Sequence, residues 1–432
     1  MRPVDIAAAF ILVLARAGGG SSGYSGGGGG GGGGYSGGGG YSSGGASTGS
    51  PGVFSLVVIL VIVAFVLFGF ISAWFAARRL RRKRAERAAR VALASVEAAQ
   101  DDEAFARERV VGDGKTLFSA IQAAWDAGDV TALGALAGDD LLTEWRRRLQ
   151  DFTRKGWRNR VRVIDGPEVL YVGLVNRDQD AEDRVVVHLT ATLEDYVESG
   201  GMRIMRSDDS DATSRVSEFW TLAKRNGSWI LVSIEQDAEG AHNLDAPIVT
   251  SPWDDARVRD SAVIEGALAG AALTGTATAE LIDVDLAADA RAQALDLSLA
   301  DERFAPEVLE VAARHAAEAW AQAVDGADEP LLAVATPDAV GALLYGGDMA
   351  QRTRLVVRGP RIEKVTISRI DATPEPAHMA IELRVRGRRY TEDRDSAAVV
   401  SGSRDREVVF TESWTLTLTG DASSPWQLSG VG

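Results

Sequence analysis

The sequence predicts an α+β protein: one apolar helix near the N-terminus, then a unit of helices followed by an antiparallel sheet, present twice. Three observations carry this reading. Val53 to Ala77 contains no charged residue. After residue 100, apolar residues recur first at helical spacing and then in strand alternation, with Asn226-Gly227 between two strand patterns, the chemistry of a tight hairpin turn. Five landmarks of the first half then recur in the same order in the second half.

The elements follow in chain order. Ile6 to Ala15 is an apolar run too short to span a bilayer. Ala15-Arg16-Ala17 reads as a small-residue cleavage site, so residues 1–17 are expected to be a secretory leader. The alternative is an uncleaved apolar leader. Residues 18–52 are almost wholly Gly, Ser and Tyr. Glycine gives up the most backbone entropy on ordering, and nothing here offsets that by burial, so a disordered linker is expected. Tyr24, Tyr35 and Tyr41 are at most sparse sticking points.

Residues 53–77 as a helix would span roughly 37 Å, against about 30 Å of hydrocarbon, and a helix is the form in which a single lipid-embedded segment pairs its own backbone groups. Trp74 and Phe75 sit near one end, as an aromatic belt would. A basic juxtamembrane helix over residues 78–99 follows, opening with Arg78, Arg79, Arg81, Arg82, Lys83 and Arg84. By the positive-inside rule this run faces the cytoplasm of a bacterial-type cell, which places the later domains there too. The same six side chains are expected to contact anionic lipid headgroups.

Composition excludes several function classes. The 432-residue chain carries a formal net charge of −15, which argues against nonspecific nucleic-acid binding. It has no cysteine, so disulfide frameworks and thiolate metal sites are ruled out. Its four histidines, His188, His242, His315 and His378, form no close-spaced pair. No metal or cofactor is therefore expected from local motifs, although distant residues can still converge in the fold.

The landmarks of the repeat are specific. Asp102-Glu103-Ala104-Phe105 corresponds to Asp301-Glu302-Arg303-Phe304, Trp125 to Trp320, Tyr196 to Tyr390, Trp220 to Trp414 and Trp229 to Trp426. The tryptophan and tyrosine pairs lie 194 to 197 positions apart, a spacing of tandem domains and not of a solenoid. The expected organisation is a first domain at 100–240, a linker or leading helices at 241–300, and a second, divergent copy at 301–432. Trp125, Trp220 and Trp229 are expected to anchor one core, and Trp320, Trp414 and Trp426 the other. Helices are expected over 101–155 and 306–323. Strands are expected near 160–175, 185–193, 215–224 and 229–234, and near 361–369, 377–386, 408–417 and 426–429.

The first unit resembles the C-terminal domain of mitochondrial inner-membrane translocase subunit 44 and its bacterial homologues. The resemblance rests on Phe105, on Ile121-Gln122-Ala123-Ala124-Trp125-Asp126-Ala127-Gly128-Asp129, on Asn159-x-Val161, on Tyr196, and on Glu218-Phe219-Trp220-Thr221 with Trp229-Ile230-Leu231. It covers about 100–240 and, in part, 301–432, where the Asn-x-Val element is missing. It implies a cone-shaped α+β domain, similar to nuclear transport factor 2, with a hydrophobic cavity between helices and a curved sheet. It also implies a binding or scaffold role near a membrane, toward a protein segment or lipid, linked to protein translocation. The motor-binding region of the mitochondrial protein has no match here.

The same cone shape hosts isomerases and dehydratases that use a buried carboxylate. Glu218, Glu412 and Asp195 are the carboxylates so placed, but a surface or cross-strand-paired role is the simpler expectation for each. His188 alternates with Val187 and Leu189 and is expected to point away from the main core. No catalytic residue is assigned, and the chain is not expected to be an enzyme.

Overall fold

A computed structural model describes residues 53–204, 213–254, 260, 282–419 and 424–431. The leader at 1–17, the linker at 18–52 and most of 255–281 lie outside the described residues. One helix, α1, runs from Val53 to Asp101. No helix among the described residues is long and apolar enough to cross a membrane; within the uncharged stretch 53–77, the side chains of 53–64, 66, 70 and 73 lie outside the described residues. Arg78, Arg79, Arg81 and Arg82 are exposed, Lys83 is half-buried and Arg84 is buried, so Arg84 departs from the expected surface run. Ala88 to Gly432 belong to one compact unit, and the described residues before Ala88 to another.

The first lobe begins with a short 3-10 turn, Glu103–Phe105, capped by the Asp102 carboxylate, which accepts from Ala104 N. Helices α2 (Arg107–Ala127), α3 (Val130–Leu136) and α4 (Asp139–Lys155) follow. Gly128 and Gly156 end α2 and α4 in left-handed conformations, which glycine adopts without a Cβ penalty. The strands are β1 (Trp157–Val175), β2 (Arg184–Ser199), β3 (Met202–Ile204), β4 (Thr213–Arg225) and β5 (Ser228–Gln236). They form an antiparallel sheet of order β1-β2-β4-β5, with β3 paired to β2. Asn226 (φ 51°) and Gly227 (φ 75°) make the β4–β5 turn, the two positive φ angles that a tight primed hairpin turn requires.

α2 packs on the sheet through Val110, Leu117, Phe118, Ile121 and Trp125, which recur at helical spacing and are buried. Trp125, Trp145, Trp220 and Trp229 lie in one hydrophobic cluster. Polar contacts fix the helix on the sheet. Trp125 Nε1 donates to Asn159 Oδ1 (2.7 Å), and Asn159 Nδ2 donates to Asp195 Oδ1 (2.7 Å) and to the Tyr196 carbonyl (3.1 Å). Val161 N donates to Asp126 Oδ1 (2.9 Å). Trp-Asp on the helix and Asn-x-Val on β1 are thus one lock, which is why those residue types sit at that spacing.

The second lobe has β6 (Val284–Leu286), α5 (Ala288–Ser298), α6 (Pro306–Asp325), α7 (Glu329–Leu332) and α8 (Pro337–Tyr345). β7 (Thr353–Asp371), β8 (His378–Asp393), β9 (Val399–Gly402), β10 (Val408–Leu418) and β11 (Trp426–Val431) follow. The sheet order is β11-β10-β8-β7-β6, with β9 paired to β8. β6 runs parallel to β7; neither it nor β9 shows a strand pattern long enough to read from sequence. Trp320, Trp414 and Trp426 lie in a separate hydrophobic cluster. Asp301 caps its own turn as Asp102 does, and Trp426 Nε1 donates to the Arg303 carbonyl (2.9 Å) as Trp229 Nε1 does to that of Ala104 (3.1 Å).

The start of the first lobe is pinned by a buried ammonium. Lys224 on β4, with a side chain only 3% exposed, meets Asp102, Asp180 and Asp183. Its ammonium nitrogen lies 5.5 Å from the centre of the Phe105 ring. Removing one partner of such a buried cluster leaves uncompensated charge and typically costs about 3–5 kcal/mol. Lys224→Met is therefore expected to lower the stability of the first lobe by an amount of that order in denaturant unfolding, and Asp180→Asn, at an exposed carboxylate, to leave it nearly unchanged. Equal effects from the two would refute the anchoring role.

Candidate functional site

Charged residues are seldom buried, and half of the buried charged residues among those described lie at the seam between the two lobes. The first lobe supplies the acidic side. Asp140, Glu144 and Arg148 recur every four residues on α4 and so share one face. Ser233 and Glu235 alternate on β5, followed by Glu239 and His242 in the next loop. The second lobe supplies arginines. Arg354 and Arg358 occupy one face of β7, and Arg394 and Arg404 flank β9.

Two connected networks result. In the first, Arg354 pairs with Asp140 and donates to Asp328 Oδ1 (2.7 Å). Arg394, 1% exposed, donates to Asp140 Oδ1 (2.5 Å). Glu392 lies between Arg404 (2.7 Å) and Arg148 (3.6 Å), and Tyr345 Oη donates to Asp328. In the second, Arg358 donates to the Asp325 carbonyl (2.6 Å) and to Asp325 Oδ1 (3.2 Å). His242 Nε2 lies 3.1 Å from Asp325 Oδ2 and 3.6 Å from Glu235 Oε1. Gly359, at φ +58°, lets the second lobe approach: a Cβ there would sit 2.8 Å from the His242 ring. Between the networks is a cavity of about 50 Å³, bordered by Asp140, Glu144, Ser233, Asp325, Arg354 and Arg358. That volume suits one or two waters and is far below the roughly 300–1,000 Å³ of a small-molecule pocket.

Burial and neighbouring charge shift these groups in opposite directions. Burial, reinforced by Glu144, pushes Glu392 up to about 7. Burial brings Asp328 to about 6 and Arg354 down to about 9. Burial also raises Glu235 to about 7, with Asp325 adding to the effect. Burial alone would depress His242, but the carboxylates of Glu235 and Asp325 outweigh it and hold the imidazole at about 10. Asp325 is held at about 2, because His242 and Arg358 outweigh its burial.

The residues singled out from sequence lie elsewhere. Glu218 is buried, not on the surface; it accepts from Trp220 Nε1 (2.9 Å) and from Gln236 Nε2 (3.1 Å), its cross-strand partner. Glu412 pairs with Arg389 (3.0 Å). Asp195 serves the Trp125–Asn159 lock. His188 lies under Phe219 on the sheet face away from the tryptophan cluster, 2.8 Å from Asp237 Oδ1. None of these meets the seam. The seam was missed because its partners lie far apart in sequence. The available signal was an alternating Arg354-x-x-x-Arg358 on a strand whose intervening positions are apolar.

The His242 shift makes a pH dependence calculable. An imidazole at about 10 in the folded chain and near 6.5 unfolded stabilises fully below pH 6.5 and loses that contribution as pH rises to 10. Glu235, raised to about 7, contributes a loss complete by about pH 8. With a chelator present, the melting temperature should fall between pH 8 and 9.5, and His242→Gln should flatten that slope. A slope unchanged in the variant would contradict this assignment.

Residues 91–236 match the family model of the Tim44-like domain. Among solved structures, the intermembrane space region of chloroplast protein ARC6 is 10% identical, with 29% of this chain and 97% of that chain covered and a TM-score of 0.23. An Ntf2-like protein involved in plasmid conjugation is 8% identical, with 75% and 95% covered and a TM-score of 0.17. No curated protein matches the chain. The matched residues carry the Trp125–Asn159 lock and the sheet behind it.

Proposed function

We propose that this chain is a membrane-tethered binding or scaffold module, made of two copies of one domain, that holds a protein segment or lipid near the bilayer and is linked to protein translocation. The observation that carries the reading is the Tim44-like domain at 91–236, preceded in the same chain by 25 uncharged residues at 53–77 and the basic run from Arg78 to Arg84. Equivalent tryptophan contacts in both lobes support the duplication. In each lobe the space between main helix and sheet is filled by aromatic rings, including Phe118 against Trp220 (5.3 Å) and Trp320 against Trp414 (5.4 Å). The isomerase alternative needs a carboxylate free to take a proton, and Glu218 is instead held by Trp220 and Gln236.

Three experiments test the proposal. Val61→Arg places a charge near the bilayer centre at a cost of about 2.5–3.5 kcal/mol, and part of the protein should move to the carbonate-soluble fraction; full retention would remove the tether. A reporter fused after Gly432 should be active only in its cytoplasmic form, and an active periplasmic alkaline phosphatase fusion would reverse the orientation. Crosslinking in native membranes should recover the same protein or lipid species with wild type and with Glu218→Gln. Loss of capture in Glu218→Gln, with the fold intact by circular dichroism, would favour the enzyme reading.

A further inference from the structure

We propose that Glu235, His242 and Asp325 form a divalent transition-metal site that bridges the two lobes. Glu235 and His242 come from the first lobe and Asp325 from the end of α6 in the second, so no local motif announces it. One ligand atom from each lies within 4.8 Å of the others. His242 Nε2 is 3.6 Å from Glu235 Oε1 and 3.1 Å from Asp325 Oδ2. Ligands about 2.0–2.2 Å from a tetrahedral zinc ion are separated by about 3.3–3.6 Å, so an ion at the centre would need only small side-chain movements.

The surrounding hydrogen bonds leave the required atoms facing one another. His242 Nδ1 lies 2.9 Å from the Glu239 carbonyl. A proton on Nδ1 then turns the Nε2 lone pair to the other two ligands, the usual arrangement of a metal-binding imidazole. Glu235 Oε2 accepts from Asn243 Nδ2 (2.6 Å), while Glu235 Oε1, on a residue 3% exposed, makes no hydrogen bond among the described residues. Arg358 holds Asp325 Oδ1, and Asp325 Oδ2, which faces His242 Nε2, receives a long bond from Gly359 N (3.4 Å). The His242 side chain is 27% exposed, which gives an ion a way in and a water a fourth position.

One imidazole and two carboxylates suit zinc and its first-row neighbours better than magnesium or calcium, which prefer all-oxygen shells. Arg358, 3.8 Å from Glu235 Oε1, opposes a cation here and lowers the site's affinity. The acid cluster of Asp102, Asp180 and Asp183 carries no such proposal, because the Lys224 ammonium already fills it.

The test uses the full chain in mild detergent, stripped with a chelator, dialysed and titrated with zinc chloride. Elemental analysis should give one zinc per chain, and the melting temperature should rise with free zinc. Cobalt(II) should give the intense visible bands of a tetrahedral site. Glu235→Gln, His242→Gln and Asp325→Asn should each weaken binding at least about tenfold, and Asp183→Asn should leave it unchanged. Asn243→Ala removes no ligand but frees Glu235, and should weaken binding by about 10-fold even if a ligand variant fails to fold. Absence of zinc uptake by the folded wild type, or uptake unaffected by all four seam variants, overturns the proposal and leaves His242 as a proton-bearing partner only.

Discussion

The arrangement of the lobes depends on burying arginine against carboxylate. Arg354, Arg358 and Arg394 are all nine-tenths buried or more, and Arg404 is half-buried. Moving a guanidinium out of water is costly unless its donors are met, and an apolar seam of equal size would be as stable or more so. The charged seam is restrictive instead. Across the seam Arg354 and Arg394 meet Asp140 while Arg358 donates to Ser233 Oγ and the Ile234 carbonyl, and a lobe shifted by one residue would leave several of these unmet. A greasy seam tolerates sliding; this one does not.

The two lobes fill corresponding positions differently. Asn159 in the first lobe accepts the Trp125 indole N–H and fixes helix to sheet. In the second lobe, pairing Arg160 with Tyr196 and Val356 with Tyr390 puts Leu355 in the corresponding place, packed against the apolar core. The Trp320 indole then makes no hydrogen bond among the described residues. Glu218, which accepts from Trp220, likewise corresponds to Glu412, which pairs with Arg389 while Trp414 Nε1 has no partner among the described residues. The second lobe thus lacks two core hydrogen bonds that the first lobe makes.

This explains what was legible in the sequence. Helices α2 and α6, the long strands and the tryptophan positions follow from periodicity, because burial on one face imposes it. The β4–β5 turn follows from Asn226-Gly227. Strand ends ran short by several residues, as at β7, which begins at Thr353 and not near 361; Arg354 and Arg358 break the apolar pattern there because their neighbours belong to another lobe. Glu218 is the complementary case. A carboxylate in strand alternation reads as solvated, and only the fold shows that Trp220 and Gln236 cover it. The seam itself joins residues more than 80 positions apart, Glu235 with Asp325 and Asp140 with Arg394 among them, beyond the reach of any local pattern.

Two acidic clusters in this chain are neutralised in different ways, and the difference follows from side-chain reach. Around Lys224, a four-carbon stem carries a point charge into the middle of three carboxylates, and the ammonium's three donors are each taken up. Nothing further can enter without displacing a residue of β4. Around His242 the cation is a flat ring at the edge of the seam, with one nitrogen committed to a backbone carbonyl and the other presented to two carboxylates. That nitrogen faces the two carboxylates with a proton or, on the proposal above, with a divalent ion in the proton's place. The first cluster is closed by its own lysine; the second holds the lobes together through a charge that solvent can reach.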